Sequence, residues 1–175
     1  MLKKIALVIV LLIAGVLVFA TTKPDTFRVE RAATINAPPE TVFPFINDFH
    51  NWAVWSPWEK LDPQMKRNHS GAASGQGAVY EWEGNSGVGQ GRMEITESAP
   101  PSHVTIKLDF LAPFEAHNTA EFALQPAGGG TNVVWAMHGE NNFMGKVMQV
   151  FMDMDSMIGK DFETGLANMK AAAEK

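Results

Sequence analysis

The stretch Phe27–Phe43, FRVERAATINAPPETVF, changes its period in the middle. From Phe27 to Asn36, the residues Phe27, Val29, Ala33 and Ile35 alternate with Arg28, Glu30, Ala32 and Thr34. Alternation of period two is the mark of a strand with one buried face. Pro38-Pro39-Glu40 then opens a helix, since proline is tolerated in a first turn whose N–H groups have no intrahelical partner. Glu40–Asn47 and Asp48–Leu61 read as two short helices, broken by Pro44 and Pro57. Trp52, Trp55 and Trp58, with Phe45 and Phe49, gather five aromatic rings there. Such rings either gate an apolar opening or simply pack the small helices, and packing is the more ordinary role.

Downstream, glycine and proline clusters divide the chain into short segments of strand length. Gly71, Gly75 and Gly77 punctuate one loop, and Gly84-Asn85-Ser86-Gly87 another. Pro100-Pro101-Ser102 and Ala127-Gly128-Gly129-Gly130 mark two more. Between them lie Gly77–Glu83, Val88–Glu97, His103–Phe110, Phe114–Gln125 and Thr131–Gly139, with Met65–Ser70 a weaker candidate. Consecutive strands joined by short turns form an antiparallel meander.

The last 33 residues return to helical period. At 100° per residue, Phe143, Val147, Val150, Met157, Ile158 and Gly165 share a face with Met154. Met144, Met148, Phe151, Phe162, Leu166 and Met169 widen it, while Lys146, Asp153, Lys160 and Glu163 lie opposite. The pattern predicts one long amphipathic helix, bent at Gly145, Gly159 or Gly165. Asp161 falls about 20° from the centre of that stripe. A carboxylate facing a sheet must be paired or hydrogen-bonded. Two readings follow: an anchor to a donor such as Arg92, or a polar group that serves a ligand.

Upstream, Ile5–Ala20 is 16 residues without a polar side chain, preceded by Lys3 and Lys4. With Thr21 and Thr22 the uncharged run spans about 27 Å, close to the roughly 30 Å of a hydrocarbon core. A membrane anchor is the first reading and a cleaved signal peptide the second, with Val18 and Ala20 flanking the cut. A buried helix of the soluble fold comes last, because the segment has no polar face. The two leading lysines keep the N-terminus cytoplasmic and put the domain outside. The organisation is then residues 1–22 as anchor or signal, 23–26 as linker and 27–175 as one domain.

Composition removes several function classes. The 175 residues suit one domain of ordinary size. The net charge of −5 comes from 14 basic and 19 acidic residues, and without Lys3 and Lys4 the body is more acidic still. An acidic body is a poor partner for nucleic acid. There is no cysteine, so thiolate nucleophiles, disulfides and cysteine-held metals are out. Gly71–Gly91 contains no Gly-Lys-Ser/Thr, and neither HExxH nor GxSxG occurs. No catalytic or metal-binding set emerges, and no cofactor is implied.

One strand, two small helices, a run of strands and a long amphipathic helix form an α+β fold of sheet on helix. That order resembles the helix-grip fold of the START-like superfamily, also described as polyketide cyclase/dehydrase and lipid-transport (SRPBCC, Bet v 1-like) proteins. The resemblance rests on Phe27-Arg28-Val29 leading into Ile35-Asn36-Ala37-Pro38-Pro39-Glu40-Thr41-Val42-Phe43. Asn51-Trp52, Trp55-Ser56-Pro57-Trp58, Gly91-Arg92-Met93 and Gly165–Lys170 continue it, and it covers nearly all of Phe27–Lys175. It implies a curved seven-stranded antiparallel sheet around the C-terminal helix, enclosing an apolar cavity. Members bind lipids, sterols, hormones or polyketides; a minority do chemistry, and no catalytic residue is common to all.

The candidate cavity residues are Trp55, Trp58, Tyr80, Trp82, His117, Trp135, Met154, Ile158 and Asp161. Six of the ten methionines lie in the final helix, and their flexible side chains suit either an adaptable pocket or plain core filling. His103, His117 and His138 could each meet a glutamate for acid–base work, although period two turns many such residues to solvent. The expected function is a membrane-tethered domain, a monomer by default, that binds a small hydrophobic molecule or lipid. A cyclase- or dehydratase-like enzyme in the same cavity is the alternative. An interaction module resembling the Hsp90-activating branch comes third.

Overall fold

The computed structural model describes residues 2–175. Helix α1, Leu2–Ala20, opens with Lys3 and Lys4 and is apolar from Ile5 onward, and its side chains are largely exposed up to its last residue, the buried Ala20. Seven strands follow in one antiparallel sheet: β1 Thr26–Ile35, β2 Lys66–Gly71, β3 Ala78–Glu83, β4 Gln90–Ala99, β5 His103–Ala112, β6 Ala116–Ala127 and β7 Gly130–Glu140. The spatial order is β1-β7-β6-β5-β4-β3-β2, a meander whose first strand crosses over to pair with the last. All of the strands read from the sequence are present, including the weak one at Met65–Ser70.

Between β1 and β2 the chain forms α2 (Pro39–Asn47), a 3-10 turn at Phe49–Asn51, α3 (Trp52–Trp55) and a second 3-10 turn at Trp58–Lys60. Two expectations are corrected here. Pro44 does not break α2, because burial of Val42, Phe43 and Ile46 on one face holds the helix through it. Asp48–Leu61 is not one helix but three short pieces. Asp48 starts the first by accepting the backbone N–H of His50 through its side chain. Their rings carry the cost of that irregular backbone. Trp52 and Trp55 are buried, and their indole N–H groups donate to the carbonyls of Ile46 and Phe45 at 3.1 and 2.7 Å.

The C-terminal helix is likewise two helices, α4 (Phe143–Phe151) and α5 (Met154–Ala173). The break falls at Met152-Asp153, not at a glycine. Asp153 is extended, and its carboxylate accepts the backbone N–H groups of Asp155 and Ser156 and the Ser156 hydroxyl. That is a new helix N-terminus, and the capping bonds hold the Asp153 carboxyl below the usual carboxylate range. Asn142 caps α4 in the same way through the N–H of Gly145.

Two of the glycines assigned to bending serve close approach instead. A side chain at Gly159 would meet the Arg31 guanidinium, which lies across α5 and pairs with Asp155 and Glu163 at 2.9 and 2.8 Å. One at Gly165 would meet the rings of Trp135 and Trp55. These two contacts seat α5 on the sheet. The core runs between them from Ile35, Val42 and Ile46 through Ile95, Ile106, Phe122 and Val133 to Phe162, Leu166 and Met169.

Candidate ligand-binding cavity

The turns and the core leave a space. Between the curved sheet and the N-terminal half of α5 lies a cavity of about 430 Å³, within the range of small-molecule sites. Period two builds its sheet wall. Tyr80 and Trp82 come from β3, Leu108 and Phe110 from β5, Asn118 and Ala120 from β6, and Trp135 and Met137 from β7. The same alternation turns the intervening polar residues outward. Helix α5 supplies Met154, Met157, Ile158, Asp161 and Phe162, and α4 supplies Met144 and Met148. Trp52, Ser56, Trp58 and Glu59 close the floor.

Helix α5 therefore has two inward faces, which the sequence reading merged into one. Gly159, Phe162, Gly165, Leu166 and Met169 are buried in the core. Met154, Met157, Ile158 and Asp161 overhang the cavity, centred roughly 90° further round the helix. The first face belongs mainly to the later turns and the second to the early ones. The cavity ends where the helix meets Trp135.

Trp135 is the hub of the wall. It stacks on Phe162 at 3.9 Å between ring centres and on Phe122 at 5.0 Å. It also takes Trp55 and Trp58 edge-on at 5.3 and 5.8 Å. Trp82 stands edge-on to Phe110 at 5.9 Å further along the wall. Such ring pairs add about 0.5–1.5 kcal/mol each beyond burial, so this side of the cavity is stiff.

Four acidic residues enter the lining; Glu115 and Glu140 are exposed, and Glu59 and Asp161 lie deeper. Glu59 accepts the Tyr80 hydroxyl at 2.5 Å through one oxygen and the Arg67 Nε at 2.7 Å through the other. Arg67 also donates to the carbonyl of Met65 at 2.6 Å. The trio is internally satisfied. Burial first, and the Glu59 carboxylate second, push the Tyr80 phenol well above its ordinary value. Asp161 differs: it is half-buried at the cavity wall with no hydrogen bond or ion pair among the described residues, and burial raises its carboxyl pKa. The anchoring role considered for it fails, because Arg92 pairs with Glu94 at 2.8 Å and lies near Glu81.

Of the nine residues singled out, Trp58, Tyr80, Trp82, Trp135, Met154, Ile158 and Asp161 line the cavity. Trp55 lies beneath it, fully buried in the aromatic core. His117 is on the outer sheet face, because on β6 the inward positions are Ala116, Asn118 and Ala120. There it contacts Asp109 at 2.7 Å and Glu115 at 3.2 Å. Among the described residues no histidine lines the cavity. His138 lies by Glu121 at 3.6 Å on the outer face, and His103 contacts the Thr105 hydroxyl at 2.9 Å. Glu59 and Arg67 escaped the sequence reading. Nothing local marks them, since their meeting with Tyr80 needs β2 and β3 paired beneath the small helices.

Comparison with known proteins agrees with this geometry. Residues 26–174 match the family model for polyketide cyclase / dehydrase and lipid transport. Protein CV1439 from Chromobacterium violaceum has a similar structure, with a TM-score of 0.61 at 17% identity, covering 87% of this chain and 99% of that one. The Aha1 dimer from Colwellia psychrerythraea gives 0.61 at 15% identity, covering 85% and 96%. The di-domain ARO/CYC protein BexL of the BE-7585A biosynthetic pathway gives 0.63 at 16% identity, covering 90% of this chain and 53% of that one. At these identities the likeness is one of fold. Comparison with curated proteins finds no match. The family-model match extends over the whole domain from β1 to α5, and the chain belongs to the polyketide cyclase/dehydrase and lipid transport family.

Proposed function

We propose that the domain holds a small hydrophobic molecule or lipid in this cavity while α1 tethers it to a membrane. The observation that carries the reading is a preformed cavity of about 430 Å³ walled by tryptophan, phenylalanine and methionine. Stacked rings give it a fixed side, and Met144, Met148, Met154 and Met157 give it an adaptable one. Asp161 supplies an unpartnered polar group for a ligand hydroxyl or amine. Helix α1 is long and apolar enough to cross a bilayer, and Lys3 and Lys4 put its start on the cytoplasmic side. The domain then lies outside.

A second reading, cyclase- or dehydratase-like chemistry, is favoured by the Tyr80–Glu59–Arg67 trio at the floor. Its groups are bonded to one another, which suits a rigid orienting site better than proton transfer. Native mass spectrometry of the full chain extracted in mild detergent tests the leading reading. An apolar mass should accompany the wild type and be lost from Ala120→Phe, which fills the cavity. A soluble-lipid probe that binds both proteins equally would overturn it.

A further inference from the structure

Helix α4 has no buried residue, although it is made almost wholly of apolar ones. Phe151 is 70% exposed and Phe143 51% exposed. Close to the same opening, Phe114 between β5 and β6 is 58% exposed, and Met144 and Met157 are also exposed. Single exposed apolar residues are ordinary, but a group of large ones around a cavity mouth marks a contact surface. The only charged residue in α4, Lys146, is already paired with Asp25.

Topology decides what this surface meets. Chain direction puts the start of β1, the end of β7, the β5–β6 turn and the β3–β4 turn at one end of the sheet. The cavity is lined at that end by Phe27, Phe114, Val88 and Asn141. The same end receives α1, which leaves only five residues before Thr26. The junction is tied to α4. The Asn141 backbone N–H donates to the Asp25 carbonyl at 2.8 Å, and its side-chain amide donates to the Pro24 carbonyl at 3.0 Å. Helix α4 packs against α1, and the buried Ala20 lies at the end of the span.

We infer that α4 and the Phe114 turn rest in the interfacial layer of the bilayer crossed by α1, so that the cavity opens into lipid and loads from it without passing through water. Amphipathic helices of this kind sink about 5–10 Å into the headgroup–acyl boundary, and α4 is held against the span that would bring it there. The occupant of the exposed face is lipid. Met144 and Met148 line the cavity on one side of α4, while Phe143 and Phe151 lie outside that lining. Helix α4 is thus a thin wall between ligand and membrane. The inference rests on the binding and tethering proposed above.

The absence of cysteine allows clean labelling of the full chain. Phe151→Cys and Gln125→Cys, the latter exposed at the far end of β6, each take a bimane label in phosphatidylcholine–phosphatidylglycerol nanodiscs. Lipids brominated near the carbonyl should quench the label at position 151 and leave that at 125 bright. Separately, a pyrene-labelled fatty acid loaded in the nanodisc should reach the wild type about ten-fold or more faster than it reaches the double variant Phe143→Asp, Phe151→Asp, whose two lost rings weaken lipid seating. Its affinity measured in detergent micelles should be the same for both. An unquenched label at 151, equal loading rates, or protection of 151 only on adding a second protein would each overturn the inference. If the wild type fails to bind the probe even in micelles, the binding function fails instead, and the quenching arm still reports on the membrane seat.

Discussion

Two buried glycines of α5 should respond differently to the same substitution. In Gly165→Ala the new methyl would lie 2.9 Å from Trp135, 3.3 Å from Pro57 and 3.4 Å from Trp55. None of these can step aside. Trp135 is stacked on Phe162 and Phe122, and Trp55 is fully buried. Overpacking of this kind costs about 1–3 kcal/mol, against about 1 kcal/mol regained because alanine is the better helix former. A net loss of up to about 2 kcal/mol is expected. In Gly159→Ala the methyl would overlap the Arg31 guanidinium. That group is the far end of a flexible chain, and its partners Asp155 and Glu163 are more than half exposed. Ion pairs to partners so exposed contribute little, so their loss is comparable to the helix gain. The variant should stay within about 0.5 kcal/mol of wild type. Urea unfolding of the full chain in micelles, followed by tryptophan fluorescence, measures both. A shift of about 2–4 °C in melting temperature per kcal/mol gives a second readout. If Gly165→Ala proves as stable as Gly159→Ala, the close seating of α5 on Trp135 is wrong.

Asp161→Asn should be more stable than wild type at neutral pH and equal to it in acid. The folded carboxyl pKa is raised by burial, so ionisation costs stability as pH rises through it, and asparagine never ionises. Unfolding midpoints from acid to neutral pH check this, and a gap that persists in acid refutes it; probe binding should weaken in the same variant. Tyr80→Phe should cost about 1.5–3 kcal/mol by removing a buried hydrogen bond to a charged group; a neutral result in urea unfolding would mean Glu59 is held by Arg67 alone. On the outer face, Asp109 raises the pKa of His117, so their contact stabilises the fold below the unfolded imidazole's value and is lost as pH rises through the folded one. The stability gap between wild type and His117→Gln should therefore close toward alkaline pH, and a gap constant with pH would count against the pair. For Asp109 itself, burial opposes ionisation, but bonds from Lys107 and His117 outweigh it and keep the carboxyl low. That contribution fades only as pH falls through the lowered value.

The trio at the cavity floor shows why a polar group in an apolar site need not be a catalyst. Glu59, Tyr80 and Arg67 use both carboxylate oxygens, the phenol and the guanidinium on one another and on the Met65 carbonyl. A network satisfied in this way fixes the small helices to the β2–β3 edge. Asp161 has no such partners among the described residues, and in the function proposed above it is a group that meets the ligand.

Local pattern alone determined the seven strands, the antiparallel meander and the helical character of both termini. Period two and period 3.6 are set by backbone geometry and survive in the order of residues. Tyr80, Trp82 and Trp135 were legible for the same reason, since a large apolar side chain at an inward strand position faces the sheet's covered side, and Met154 and Ile158 because they lie on an inward face of α5. What only the tertiary structure decided was everything that depends on a partner distant in sequence. Strand phase on β6 turned His117 outward by a single residue. The cap at Asp153 cut one long amphipathic pattern into two helices, which a 100° wheel cannot detect because the apolar residues continue across the break. Asp161 lay near the centre of a stripe only while the two inward faces of α5 were counted as one. Glu59 and Arg67 meet Tyr80 only once β2 and β3 are paired, and no spacing records that. Periodicity tells which side of an element is buried, whereas the surface it is buried against exists only when the chain has folded.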